Sequence, residues 1–410
     1  MLDQYIHDLQ VLTQNKIDTE QILIQPDELE QTFNDDEDTH AFIGDKLVED
    51  AHENVFRIYI QNLHGLNWDN AGGKWPYVCD AIDAISADIA CFSELNTDTN
   101  SYKIRKKMED VCKRQFQQNA LILAASAHHS ATNYKPGGTA ILAANSITTR
   151  IRSQTRDRMG RWASVSLETT STSKLRIISA YQVCKNSRPG ANTAMAHQTA
   201  QIIRDNAASP TISRPHPRKT FIHDLQAFIQ QVQNQDEAIL LAGDFNEEIG
   251  VESSGMDNLA SACGLVDLFN IRIGSSTLPA TYQRGRKRID YILMSPGILP
   301  HVRAAGYDPF GYRIPSDHRG MFIDLDTESL FQNELPKLPP SDKRDFTSTS
   351  PETIRLYVEK KMNYLNDHRF FERLDALETN VHLDPESAEA LDRDFHRAAV
   401  HAARMCTKKK

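Results

Sequence analysis

Cysteine is scarce in this sequence: six residues in 410, none in a C-x-x-C pair. A zinc site or a disulfide framework needs clustered or paired cysteines, so neither is expected, and reduced thiols inside a cell fit best. Long apolar runs are missing too. No stretch approaches the roughly 18 apolar residues of a membrane span. The start, MLDQYIHDLQ, has neither the basic opening nor the apolar core of a secretory signal. The expectation is a soluble intracellular protein, cytoplasmic or nuclear and not secreted. Basic residues are nearly absent from the first 54 positions, which hold 15 Asp and Glu against Lys16 and Lys46. The remaining positions hold 44 Lys and Arg against 40 Asp and Glu. The formal net charge of -9 therefore describes the N-terminal segment, and a body at +4 does not exclude a polyanionic substrate.

What is present divides into three parts. Residues 1–54 read as an acidic N-terminal extension, where the run Asp35-Asp36-Glu37-Asp38 opposes compaction and Ile22, Leu23 and Ile24 could dock on the body. Residues 55–328 read as one α/β domain. Short apolar runs there have the length of buried strands: Val55–Ile60, Ile89–Phe92, Thr139–Ala143, Leu175–Ala180 and Ala238–Ala242. Between them, Thr220–Gln233 places Phe221, Leu225, Phe228, Ile229 and Val232 on one helical face, and Trp75–Ile85 is a second candidate helix. Residues 329–410 read as a linker, marked by Pro336, Pro339 and Pro340, and a helical extension. Ser350-Pro351-Glu352 and Asp384-Pro385-Glu386 each supply a cap, a first-turn proline and a first-turn acid, so two helices are expected. The first would carry Ile354, Tyr357, Val358, Met362 and Leu365. This extension is a candidate docking module for a protein partner.

Five segments join an apolar run to acids, amides or histidine: Ile60-Gln61-Asn62-Leu63-His64-Gly65, Cys91-Phe92-Ser93-Glu94-Leu95-Asn96, Leu240-Leu241-Ala242-Gly243-Asp244-Phe245-Asn246, Arg288-Ile289-Asp290-Tyr291-Ile292-Leu293 and Pro315-Ser316-Asp317-His318-Arg319-Gly320. Strand ends are where α/β folds carry their sites. In Asp244-Phe245-Asn246 the first and third side chains share a face, so an acid and an amide stand together. Phosphoester hydrolysis needs neutralised phosphoryl oxygens, an activated water and a stabilised leaving oxygen. Carboxylates and an amide oxygen suit Mg²⁺, and histidine or asparagine can hydrogen-bond a phosphate. Asn62, Glu94, Asp244, Asn246, Asp290, Asp317 and His318 supply all of these.

In this order the five segments resemble the signature blocks of the endonuclease/exonuclease/phosphatase superfamily over about residues 55–326. The resemblance implies a four-layer αββα sandwich, two mixed β-sheets face to face with helices outside. It implies Glu94 as principal ligand of Mg²⁺, or of Mn²⁺, with Asn62 and Asp317 at or near the metal. Asp244 would orient or deprotonate water, or protonate the leaving group; Asn246 would hold the phosphate. His318 would contact the scissile phosphate, kept charged by Asp290, and Tyr181 falls where the endonuclease branch carries a phosphate-contacting tyrosine.

Two arginine-rich stretches, Arg150 to Arg161 and Arg284 to Arg288, favour a long phosphodiester backbone as substrate. The wording around Asp290 and His318 most resembles retroelement endonucleases, which nick DNA, although no Tyr-x-Asp-Asp of a reverse transcriptase occurs. The expectation is a DNA endonuclease. The alternatives are a phosphatase or phosphodiesterase acting on an inositol phosphate or lipid headgroup, and a catalytically inactive binding module. His128-His129 reads as a surface pair, Pro136-Gly137-Gly138-Thr139 as a turn into a strand, and Trp68 and Trp75 as packing residues.

Overall fold

Period-two alternation sorts the side chains of the body into an inner and an outer set, and that sorting determines where polar groups collect. The computed structural model describes residues 41–48, 54–69, 72–126, 132–170, 173–185, 192–205, 215–251, 255–274, 278–332, 350–378 and 385–406. The acidic run at 35–38, the apolar residues 22–24, His128-His129 and the prolines at 336–340 lie outside these.

Among the described residues the strands are β1 (Ile43–Gly44), β2 (Val55–Asn62), β3 (Ile89–Ser93), β4 (Asn119–Ala124), β5 (Thr139–Ala144), β6 (Ile151–Arg156), β7 (Trp162–Glu168), β8 (Lys174–Tyr181), β9 (Glu237–Asp244), β10 (Val266–Asp267), β11 (Asp290–Met294), β12 (Val302–Tyr307) and β13 (Met321–Asp326). One sheet has the order β1-β12-β13-β2-β3-β5-β4 and the other β10-β11-β9-β8-β7-β6. Both are mixed: β2 runs parallel to β3, and β8 to β9, among antiparallel neighbours. The helices of the body are α1 (Trp75–Ala84), α2 (Tyr102–Gln115), α3 (Ala194–Asp205), α4 (Pro217–Gln233), α5 (Met256–Ala262), α6 (Leu268–Arg272) and α7 (Thr327–Phe331).

Phe56, Ile58 and Ile60 of β2, Ile89 and Cys91 of β3, Leu175 and Ile177 of β8, and Leu240 and Ala242 of β9 meet in one core between the sheets. The alternate residues face outward. Tyr59, Ala90 and Phe92 pack under Trp75, Val78, Cys79 and Ile82 of α1 and Ile104 and Met108 of α2. Ile178, Ile239 and Leu241 pack under Phe221, Leu225 and Ile229 of α4 and Met256 and Leu259 of α5. Helix, sheet, sheet and helix form the four layers that the resemblance implied. Leu330 and Phe331 of α7 join the inter-sheet core, so packing of the body runs on to residue 331. β1, inside the segment read as an acidic extension, pairs with β12 at the sheet edge.

All five strands read from the sequence are present, each longer by one to three residues. Among the added ladder pairs are two polar ones at the same end: Asn62 opposite Ser93, and Tyr181 opposite Asp244. α4 begins at Pro217, ahead of the Thr220 expected, because His216 caps it by accepting a hydrogen bond from the amide of Lys219. Gly243 is the tightest point of the second sheet. Its φ is 145°, and a Cβ there would lie 2.0 Å from the carbonyl oxygen of Ala180 on β8. Gly243→Ala is expected to lose about 1–3 kcal/mol and to part Tyr181 from Asp244. Thermal melting checks this; an unchanged melting temperature would show that β8 yields without strain.

The chain divides into two compact units, Met1–Leu338 and Pro339–Lys410. In the second, α8 (Pro351–Asp367), α9 (Phe370–Glu378) and α10 (Pro385–Cys406) are described, one helix more than the two start signals suggested. Ser350 caps α8 by accepting from the amide of Thr353. Its small core is Leu365, Phe370, Leu391 and Ala398. Of the apolar face expected on α8 only Leu365 is buried; Ile354, Val358 and Met362 are exposed. No helix among the described residues is long and apolar enough to cross a membrane.

Candidate active site

The same alternation that fills the inter-sheet core carries on to its end, where the inward residues turn polar. Asn62 follows Ile60 on the inner face of β2; Asp244 follows Ala242 on β9; Tyr181 follows Ser179 on β8. Asp290 opens β11 and pairs in register with Asp244. His318 lies three residues ahead of β13, which runs antiparallel to β2. The acid or imidazole thus ends a parallel-type strand in one case and begins an antiparallel one in the other, and both meet at one edge.

Asn62, Asp244, Asp290 and His318 are almost wholly buried, while Glu94 and Asn246 are partly accessible. The Asn62 amide donates to Oε2 of Glu94 at 2.9 Å and to Oδ2 of Asp244 at 2.8 Å, and its nitrogen stands 3.4 Å from Nε2 of His318. Nδ1 of His318 is 2.9 Å from Oδ2 of Asp290. Thr281 fixes Asp290 by accepting from the amides of Ile289 and Asp290. Asn246 donates from its side-chain amide to Asp244 and to the carbonyl of Gln182, and accepts from the thiol of Cys184. Both its side-chain N–H groups are therefore engaged, so a phosphate contact requires one to change partner. Tyr181 stands one strand away, opposite Asp244. Asp317 lies apart from the tight cluster: its Oδ1 is 3.3 Å from Nδ1 of His64, without a hydrogen bond.

Three loops bear strain. Glu94 has φ 54° and Asn246 φ 47°, and His64 and Asn96 are also left-handed. Such backbone clusters where geometry serves function. Asn96 steadies Glu94 by donating to its Oε1 at 3.3 Å and accepting from the amide of Gly137.

The electrostatics follow from crowding acids in a buried space. Burial and the neighbouring Asp290 push the Asp244 carboxyl well up, with Glu94 adding and His318 opposing. Burial works to lower the His318 imidazole, but Asp290, Asp244 and Asp317 outweigh it and raise it to about 10. It is therefore charged at neutral pH, and its Nε2–H faces another donor in Asn62, which leaves that proton for an oxygen acceptor. Burial, then Glu94, Cys184 and Asp244, hold the Tyr181 phenol well above its usual range. Glu94, Asp244 and His318 offer ligand atoms within 4.8 Å of one another. Hard oxygen donors with surplus negative charge fit a hard divalent cation.

The family model described as Endonuclease/Exonuclease/phosphatase family matches residues 70–318. The chain belongs to that family. The match holds three of the five segments whole and ends within the fifth, on His318, whereas Asn62 precedes it. Among solved structures, the AP endonuclease LMAP from Leishmania major is similar at 14% identity and TM-score 0.47, over 67% of this chain and 88% of that one. The 3'-5' exonuclease NExo from Neisseria meningitidis is similar at 17% and 0.46, over 66% and 100%. The endonuclease domain of TRAS1, a telomere-specific non-LTR retrotransposon, is similar at 13% and 0.40, over 67% and 99%. No curated protein sequence matches the chain.

Sequence reasoning missed several supports of this site. Arg218 on α4 is buried, donates to the carbonyls of Val183 and Asn246, and pairs with Glu247 at 3.0 Å. Gln61 donates to the carbonyl of His318 at 3.0 Å. Lys74 reaches two loops at once. None carries a motif; each acts on main-chain oxygens, which a sequence does not display. The arginine-rich stretches also divide. Arg161 is buried against Asp157 and Asp224, Arg152 pairs with Glu168, and Arg288 pairs with Asp267 beneath the Tyr291 ring. By strand register Arg156 lies at the site end of its sheet; Arg156, Arg284 and Arg286 are exposed, and Arg158 is exposed but pairs with Asp205 at 2.7 Å.

Proposed function

We propose that this protein is a Mg²⁺-dependent phosphodiesterase that nicks DNA. One observation carries the reading: a buried, charged imidazole held by Asp290 stands beside a cluster of Glu94, Asp244 and Asn62. Glu94, with Asn62 beside it and Asp317 outside the tight cluster, would hold Mg²⁺, which would supply positive charge at the phosphoryl and leaving oxygens. Mn²⁺ fits the same donors. His318 gives its Nε2–H to a phosphoryl oxygen, and Asp290 keeps the ring oriented and charged. Asp244, raised by its neighbours, would take the proton of the attacking water as a carboxylate or, when protonated, give its own proton to the leaving oxygen. Asn246 holds Asp244 in place and can turn to the phosphate. Tyr181 remains a neutral donor at the phosphate's edge. The exposed Arg156, Arg158, Arg284 and Arg286 support a nucleic-acid backbone.

The test is nicking of supercoiled plasmid with Mg²⁺, with EDTA, and with Glu94→Gln. Nicking is expected only for the unaltered chain with metal. Hydrolysis of an inositol phosphate without nicking would overturn the nuclease reading in favour of a phosphatase. Inertness toward both, with a protein bound through residues 329–410, would leave a binding module.

A further inference from the structure

The loop between β2 and α1 folds back on itself. Gly72 and Gly73 have φ 103° and 60°, and a Cβ on Gly73 would lie 2.1 Å from the carbonyl oxygen of Leu66. Only glycine allows that approach. The turn brings the amide of Lys74 to the carbonyl of Leu66 at 2.9 Å and sets Lys74 at the cap of α1. Its side chain then reaches back. Nζ donates to the carbonyl of Leu63, directly after Asn62, and at 3.0 Å to the carbonyl of Pro315, three residues before His318.

We propose that Lys74 is a positioning residue: its ammonium bridges Leu63 and Pro315 and so holds the loop carrying His318 against the strand end carrying Asn62. A second tie runs alongside, from the hydroxyl of Ser316 to the carbonyl of Asn62 at 2.6 Å. The hydroxyl is short and neutral, whereas the lysine adds a charge where carboxylates crowd. Burial draws the Lys74 ammonium down to about 8 while Asp317 and Glu94 support it. Seated on the carbonyl of Pro315, two residues from Asp317, the ammonium offsets part of the negative charge of the acids. Two roles follow from one atom: geometry for the imidazole and a check on how tightly the acids take a cation. The geometric role rests on the phosphodiesterase reading; the charge role does not.

The experiment compares Lys74→Met and Lys74→Arg with the unaltered chain in plasmid nicking, and in calorimetry with Mg²⁺ alone. Lys74→Met is expected to lower kcat about 10–100-fold, as removal of a supporting partner does, with KM unchanged. The same variant is expected to bind Mg²⁺ several-fold more tightly, because a neighbouring cation is gone. Lys74→Arg keeps the charge and two donors, so Mg²⁺ affinity should match the unaltered chain and kcat should recover in part. General structural damage would weaken Mg²⁺ binding and kcat together, and that result would overturn the proposal. A higher KM with a shallower salt dependence and unchanged kcat would also overturn it, by making Lys74 a phosphate contact. If the unaltered chain does not nick DNA, the nuclease reading falls with the geometric role, and the calorimetric comparison still decides the charge role.

Discussion

His318→Ala is expected to slow Mg²⁺-dependent nicking by about 10²- to 10³-fold, the cost of deleting one donor aimed at developing charge. The imidazole is buried, charged and tied through Nδ1 to Asp290, so its Nε2–H is fixed in direction before substrate arrives. Asp290→Asn should act through the ring, since an amide cannot hold an imidazolium as a carboxylate does. The two residues form one unit, so the double variant should be no slower than His318→Ala. Single-turnover rates would read this. Additive losses would show that Asp290 acts on something besides the ring, and a His318→Ala variant at full speed would remove the imidazole from the chemistry.

The second large effect is on stability. Arg57→Met is expected to destabilise the body by about 3–5 kcal/mol, the cost of stripping one partner from a buried ion pair. Arg57 on β2 and Asp324 on β13 are opposite in register, both nearly inaccessible, and joined by two 2.8 Å hydrogen bonds. The guanidinium also donates to the carbonyl of Ile85 at the end of α1. Removing it leaves the Asp324 carboxylate buried and unmatched. The double variant Arg57→Met, Asp324→Leu should regain most of the loss, because two apolar side chains need no partner there. Denaturant unfolding of the set would decide it; a single variant as stable as the parent would mean water reaches Asp324.

Much of the site was legible because its chemistry sits at the ends of readable apolar runs. Asn62, Asp244 and Tyr181 continue the inward alternation of their strands, and that pattern is visible in Ile60-Gln61-Asn62 and Ala242-Gly243-Asp244. Short strands were harder. β6 is exposed along almost its whole length, and β10 spans two residues, so neither has an apolar signature. Contacts made through main-chain carbonyls were not legible at all. Lys74, Arg218 and Gln61 are ordinary polar residues until the fold brings an oxygen to them. Charge runs misled for a related reason: Arg161 and Arg288 look like rim residues in a string of arginines, yet each is held by an acid that only folding brings near.

β13, among the last elements of the body, lies between β12 and β2, and β2 is among the first. His318 lies three residues ahead of β13. A chain still on the ribosome therefore has Asn62, Glu94 and Asp244 in hand long before the imidazole emerges, and the middle of its first sheet stays open until then. Every copy that stops short of residue 318 lacks the Asp290–His318 pair and leaves β2 without its antiparallel neighbour β13. The order of strands thus completes the site only with one of the last strands of the body.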